Sequence, residues 1–138
     1  MAAAVAMHCV RGRLFSQAVP YLRQAGQHAA RRGAYQEAVA FYEQALKALA
    51  QLPTTPETQA QGIDLRLDLR SSLLPLGAFR RILDYLCEAE TSAEALDDRY
   101  RLGQIADYMT NYFVSMGDYD RAIESGQHTL TLAAPHTY

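Results

Sequence analysis

Ile63-Asp64-Leu65-Arg66-Leu67-Asp68-Leu69-Arg70 alternates apolar and charged residues without a break. Period two is the mark of a half-buried strand. Three features turn the reading to helix. Only Ile63 is β-branched. Just upstream, Thr54-Thr55-Pro56-Glu57 fits a helix capping box, and Pro56 suits a first turn. On a helix, Leu65, Leu69, Leu73 and Leu76 share one side, with Ile63 and Leu67 beside them. That wide apolar face suits a helix packed on two sides. A lone strand would also find no partner, because the other segments read as helices. The segment is expected to be helical and the chain all-α.

Outward from it, apolar residues recur at i, i+3, i+4 and i+7. One set is Phe15, Ala18, Val19, Leu22, Ala25 and Ala29; another is Tyr35, Ala38, Val39, Tyr42, Ala45, Leu46 and Leu49. Beyond the central segment come Phe79, Ile82, Leu83, Leu86 and Ala89, then Leu102, Ile105, Ala106, Met109, Phe113 and Met116. Between these stripes a short signature occurs three times: Gly33-x-Tyr35-x-x-Ala38, Gly77-x-Phe79-x-x-Ile82 and Gly117-x-Tyr119-x-x-Ala122, spaced by 44 and 40 residues. It describes a tight helix-turn-helix. Gly takes positive φ just past a helix end. The aromatic residue is expected to plug the crevice between paired helices, and the compact residue to sit at their close approach. The predicted map is a short helix at 1–11 and helix pairs at 15–51, 55–90 and 93–134, about seven helices in a single domain spanning 1–138. Ser16 is expected to cap the first pair, with Pro20 in its first turn, and Thr91-Ser-Ala-Glu94 to open the helix at 93.

The bulk properties set bounds on function. The chain is 49% hydrophobic and 20% charged, a balance that supports a packed core rather than disorder. A formal net charge of −2 is not the basic footprint of a nucleic-acid binder. No stretch reaches the roughly 18 apolar residues of a membrane span. The apolar start lacks a basic leader, so a cytoplasmic location is expected. Cys9 and Cys87 stand far apart and read as buried, reduced thiols. His8-Cys9, His28, His128 and His136 show no ligand spacing, so no metal is expected. Asp118-Tyr-Asp120 lacks the glycine and distal glutamate of a calcium loop and reads as a helix cap. With no nucleophile elbow and no phosphate loop, the sequence predicts no enzyme and no cofactor.

The three signatures resemble the tetratricopeptide repeat family. The first unit matches that family's pattern with Gly26, Gly33, Tyr35, Ala38, Tyr42, Ala45 and Leu46. The third keeps Gly117, Tyr119, Ala122 and Leu130 but has Gly126 and Thr129 where an aromatic residue and Ala are usual; the middle one is degenerate. The resemblance implies a right-handed α-solenoid of antiparallel helix pairs, whose first helices line a concave groove. It implies a scaffold that binds a peptide or helix there, across Arg23, Gln27 and Arg31, then Asp64, Leu67 and Ser71, then Gln104, Asp107 and Asn111. Arg23 and Arg31 are the positions best suited to an acidic partner. The long pairs, with phrases such as Tyr21-Leu-Arg-Gln-Ala-Gly26, are most similar to the repeat regions of bacterial ATPase-linked signalling proteins, nucleotide cyclases and transcriptional activators among them. In that case the chain is a piece of a longer polypeptide. Two further expectations are self-association through the terminal helices, given Ile123, Leu130 and Leu132, and a small-ligand pocket near Tyr108, Asn111 and Tyr112.

Overall fold

The computed structural model describes residues 14–133. The expected helix at 1–11, with His8 and Cys9, lies outside the described residues, as does His136. Six helices follow in order: α1 (Phe15–Arg31), α2 (Tyr35–Leu49), α3 (Pro56–Leu73), α4 (Phe79–Leu96), α5 (Arg99–Ser115) and α6 (Tyr119–Ala133). Each packs against the next, and α1 also touches α3. The architecture is an all-α solenoid of antiparallel pairs, α1–α2, α3–α4 and α5–α6.

The three signature glycines do what their chemistry predicts. Gly33, Gly77 and Gly117 have φ of 78°, 70° and 75°. Left-handed backbone there lets the chain turn back and close the last carbonyls of each helix. Ala34 N–H donates to Ala29 C=O, Ala78 N–H to Leu73 C=O and Asp118 N–H to Phe113 C=O, at 2.9, 3.2 and 2.9 Å. The turn between α4 and α5 copies this geometry with Asp97 at φ 51°, and Asp98 N–H donates to Ala93 C=O. Asp tolerates that conformation better than most side chains.

That fourth turn moves a boundary. The second pair does not end at 90, and the next helix does not begin at 93. Ala89 and Ala93 continue the buried stripe of Ile82 and Leu86, so α4 runs on to Leu96. Thr91 is no cap; its hydroxyl donates to the Cys87 carbonyl within the helix. The true cap of α5 is Asp98, whose Oδ1 accepts from Arg101 N–H. Smaller shifts occur elsewhere. The α3 capping box is Thr55 with Thr58 rather than Thr54 with Glu57, and Pro56 is its first residue. Ser16 lies inside α1, whose N-cap is Leu14, and Pro20 lies past the first turn. Pro20 lacks the N–H that would bond the Ser16 carbonyl, and both residues are exposed to water. Asp118 caps α6 as expected, accepting from Arg121 N–H.

The core is one cluster running from Ala18 to Met109. Its tightest point joins α1 to α2. A Cβ added at Gly26 would lie 2.5 Å from Tyr42 Cε1. Tyr42 is almost wholly buried and cannot swing aside, and burial pushes its hydroxyl up to about 12. The compact signature residues Ala38, Ile82 and Ala122 are buried as expected. The aromatic ones are not plugs: Tyr35 is half-buried, while Phe79 and Tyr119 are 38% and 64% exposed. Each is the first residue of a second helix, beside the turn. Cys87 is exposed, not buried, because it sits between the core residue Leu86 and the solvent-facing Glu88. Partial burial, with Glu90 and Asp84 nearby, pushes its thiol up.

Gly26→Ala therefore tests the packing. Alanine in a helix interior gains about 1 kcal/mol over glycine. The Tyr42 contact outweighs that gain, and we expect a net loss of roughly 1–2 kcal/mol in urea unfolding. With Tyr42→Leu, the double variant should lose less than the sum of the singles by about 1 kcal/mol. Additive losses would contradict the contact.

Candidate protein-binding face

The first helices of the three pairs, α1, α3 and α5, are joined by side chains across one layer, and α3 lies in the middle. At about 100° per residue, its alternating sequence puts Ile63 and Leu67 on one side and Leu65, Leu69 and Leu73 on the other. All five are buried. Its four charged residues occupy the strips between, and each reaches a partner. Arg23 Nε on α1 donates to Asp68 Oδ2 at 2.7 Å. Arg101 on α5 forks onto Asp64, Nε to Oδ1 at 2.9 Å and Nη2 to Oδ2 at 2.8 Å. Arg66 Nε donates to Glu88 Oε1 on α4 at 3.0 Å. The Arg70 guanidinium stacks on the Tyr108 ring of α5, 4.2 Å from its centroid.

The electrostatics follow from this geometry. Hydrogen bonds to Asp64, then Asp98, hold the Arg101 cation well above its ordinary value. Arg23 is raised by its bond to Asp68. Asp68 is also raised, because its burial outweighs the pairing with Arg23. Desolvation of Asp68, the more buried partner, thus offsets part of what the pairing contributes. On the second-helix side, Glu43 of α2 accepts from Arg81 and from Tyr85 Oη of α4, the latter at 2.6 Å. Burial, then the Glu43 bond, pushes Tyr85 up to about 12.

Several of the nine expected groove residues thus serve the fold. Arg23 and Asp64 are bound across the layer, and Leu67 is 8% exposed and belongs to the core. Leu67 departs from the expectation because α3 buries two opposite faces. Ser71 is exposed, and its hydroxyl donates to the Leu67 carbonyl. Gln27, Arg31, Asp107 and Asn111 are exposed and Gln104 partly so. Asn111 also lines a cleft of about 290 Å³ between the α3–α4 turn and the end of α5. Tyr108 and Tyr112 line it too, so the three residues expected to neighbour one another do. Arg70, Leu74, Phe79, Ile82, Val114 and Ser115 complete the walls; the sequence reading placed Phe79 and Ile82 in the repeat signature and did not select the others. One signal pointed to Arg70. It stands seven residues before Gly77, where the first unit has Gly26 before Gly33.

The tetratricopeptide repeat family model matches residues 25–57. That span takes in the last two turns of α1, all of α2 and the linker to α3. Tetratricopeptide repeats in general mediate protein–protein interaction and are not catalytic. The crystal structure of BtubC (BKLC) from P. vanneervenii has a TM-score of 0.77 to this chain at 21% sequence identity. The alignment covers 89% of this chain and 49% of that one, so this chain spans about half its length. At that identity the likeness shows the fold alone. No curated protein matches the sequence. Among the described residues, no helix is long and apolar enough to cross a membrane, and no three His, Cys, Asp or Glu side chains converge on a metal position.

Asp98 offers a pH test of the layer. Burial opposes its charge, but bonds from the Arg101 guanidinium and backbone N–H override that and lower its value. A carboxylate lowered on folding stabilises above its unfolded value and loses that contribution as pH falls through the folded one. Asp98→Asn keeps a capping oxygen but not the ion pair. We expect it to be less stable than wild type by about 1 kcal/mol at pH 7, with the gap closing below pH ~4. A gap independent of pH would show that the ion pair with Arg101 does not cause it.

Proposed function

We propose that this chain is a non-catalytic interaction module, and that its first-helix face receives a peptide or helix of a protein partner. The observation that carries the reading is the layer itself. Arg23–Asp68 and Arg101–Asp64 fasten α1, α3 and α5 side by side, which holds Gln27, Arg31, Gln104, Asp107 and Asn111 in fixed relation. A preformed surface loses little freedom on binding, so its polar groups can select a partner at modest cost. In the tetratricopeptide repeats this chain resembles, the first helices line the concave side, and we read this face as that side. Arg31 remains the better of the two arginines for an acidic partner, since Arg23 already holds Asp68.

The far end supports a further part of the reading. Tyr119 and Ile123 on α6 are strongly exposed, with Val114 and Met116 close by in sequence. A solenoid stacks another helix on such an end. We take that end to meet a second copy or a further section of a longer signalling chain, in the cytoplasm of a bacterium.

A displayed library of random 12-residue peptides, panned against the whole chain, tests the module. Enriched peptides should lose at least tenfold in affinity to Arg31→Glu with Asp107→Lys. They should lose nothing to Lys47→Glu with Glu124→Lys, which alters exposed second-helix positions. Equal losses on both sides, or no enrichment at all, would sink the face assignment. The same samples, run in a sedimentation experiment, should show reversible self-association that Ile123→Glu removes; a strict monomer would leave the end without a role in pairing two copies.

A further inference from the structure

The middle pair breaks its own pattern at one point. The first unit places Gly26 against Tyr42 at its tightest helix approach. The corresponding residues of the second unit are Arg70, seven before Gly77, and Leu86, nine after it. A long cationic side chain does not suit the inside of an apolar helix pair, and the Arg70 guanidinium lies instead on the Tyr108 ring of α5. It becomes one wall of the cleft whose other walls include Leu74, Phe79, Val114 and Asn111.

Among the described residues, no ion pair engages Arg70. The other three charges of the alternating stretch each meet an opposite charge. Arg70 is half-buried, so water satisfies it less well than an exposed arginine. Leu74 and Phe79 are large apolar groups left open beside it. An anion next to an apolar group is the chemistry that would complete this arrangement. The volume helps decide what carries it. About 290 Å³ lies at the lower edge of the ~300–1,000 Å³ typical of small-molecule sites. It suits one anchor side chain of a larger partner. The cleft also shares Asn111 with the first-helix face, so a bound segment could pass from one to the other.

We propose that the cleft is an anchor pocket for an acidic-apolar protein segment: a large aliphatic or aromatic side chain enters between Leu74, Phe79 and Val114, and a carboxylate within about three residues of it pairs with Arg70. The inference rests on the first-helix face being the docking surface, and it names what that surface selects.

The test pans the 12-residue library against wild type, Arg70→Gln and Leu74→Glu. Circular dichroism and thermal melting confirm that each variant folds. Wild type should enrich peptides that place Phe, Leu or Trp within three residues of Asp or Glu, and both variants should lose that selection. For the best peptide, replacing its acid by the amide should weaken binding to wild type at least tenfold and leave binding to Arg70→Gln unchanged. Peptides enriched without an acidic preference, or with the same preference in Arg70→Gln, would overturn the pocket while leaving the docking face intact. No enrichment by any chain would overturn both. A third arm adds 4-phenylbutyrate alone. If it shifts the Tyr108 and Tyr112 ring resonances and displaces no peptide, the cleft serves a small acid and the proposal fails.

Discussion

The structure depends on how α3 is buried. A helix with an ordinary apolar stripe packs on one side and leaves its charges to solvent. The alternating sequence of α3 gives apolar groups on two opposite sides and charges on the strips between. Such a helix is stable only inside a layer of helices, and only if its charges find partners there. Both conditions are met. Leu65, Leu69 and Leu73 are fully buried, and Asp64, Arg66 and Asp68 meet opposite charges on α5, α4 and α1. The same pattern that looked like a strand is what ties three helix pairs into one unit.

This arrangement divides labour between the two sides of the solenoid. The second helices are linked by the Glu43, Arg81 and Tyr85 cluster, and the first helices by the bridges of α3. Charges that sequence alone would hand to a partner are spent inside the layer. The residues left exposed on the first helices are a smaller set, Arg31, Asp107 and Asn111 among them, beside the cleft that Arg70 lines. A well-matched Gly26–Tyr42 type contact leaves no opening, and the cleft lies where the second unit departs from that pattern.

Much of the fold was legible in local chemistry. Positive φ at Gly33, Gly77 and Gly117 follows from glycine being the residue that tolerates it, and the helical stripes follow from period. The boundary between α4 and α5 was not legible, because Asp97 imitates a glycine turn and Thr91-Ser-Ala-Glu94 imitates a start. A local capping signal was outweighed there by the burial of Ala93. The candidate face was legible in part. Helix order placed its residues on the first helices, and it placed Tyr108, Asn111 and Tyr112 near one another. It could not show that Arg23 and Asp64 are held by residues 45 and 37 positions away, since long-range pairing has no signature along the chain.

Helix α3 is the shared spine, and its Asp64 and Asp68 bind the neighbouring first helices individually. Amide hydrogen exchange reads this most directly, comparing wild type with Asp64→Asn. The amides of 63–73 should exchange slowest in wild type. Asp64→Asn should speed exchange in α5 about fivefold, the equivalent of ~1 kcal/mol, and leave α1 unchanged. Uniform acceleration across all helices, or none in α5, would contradict it.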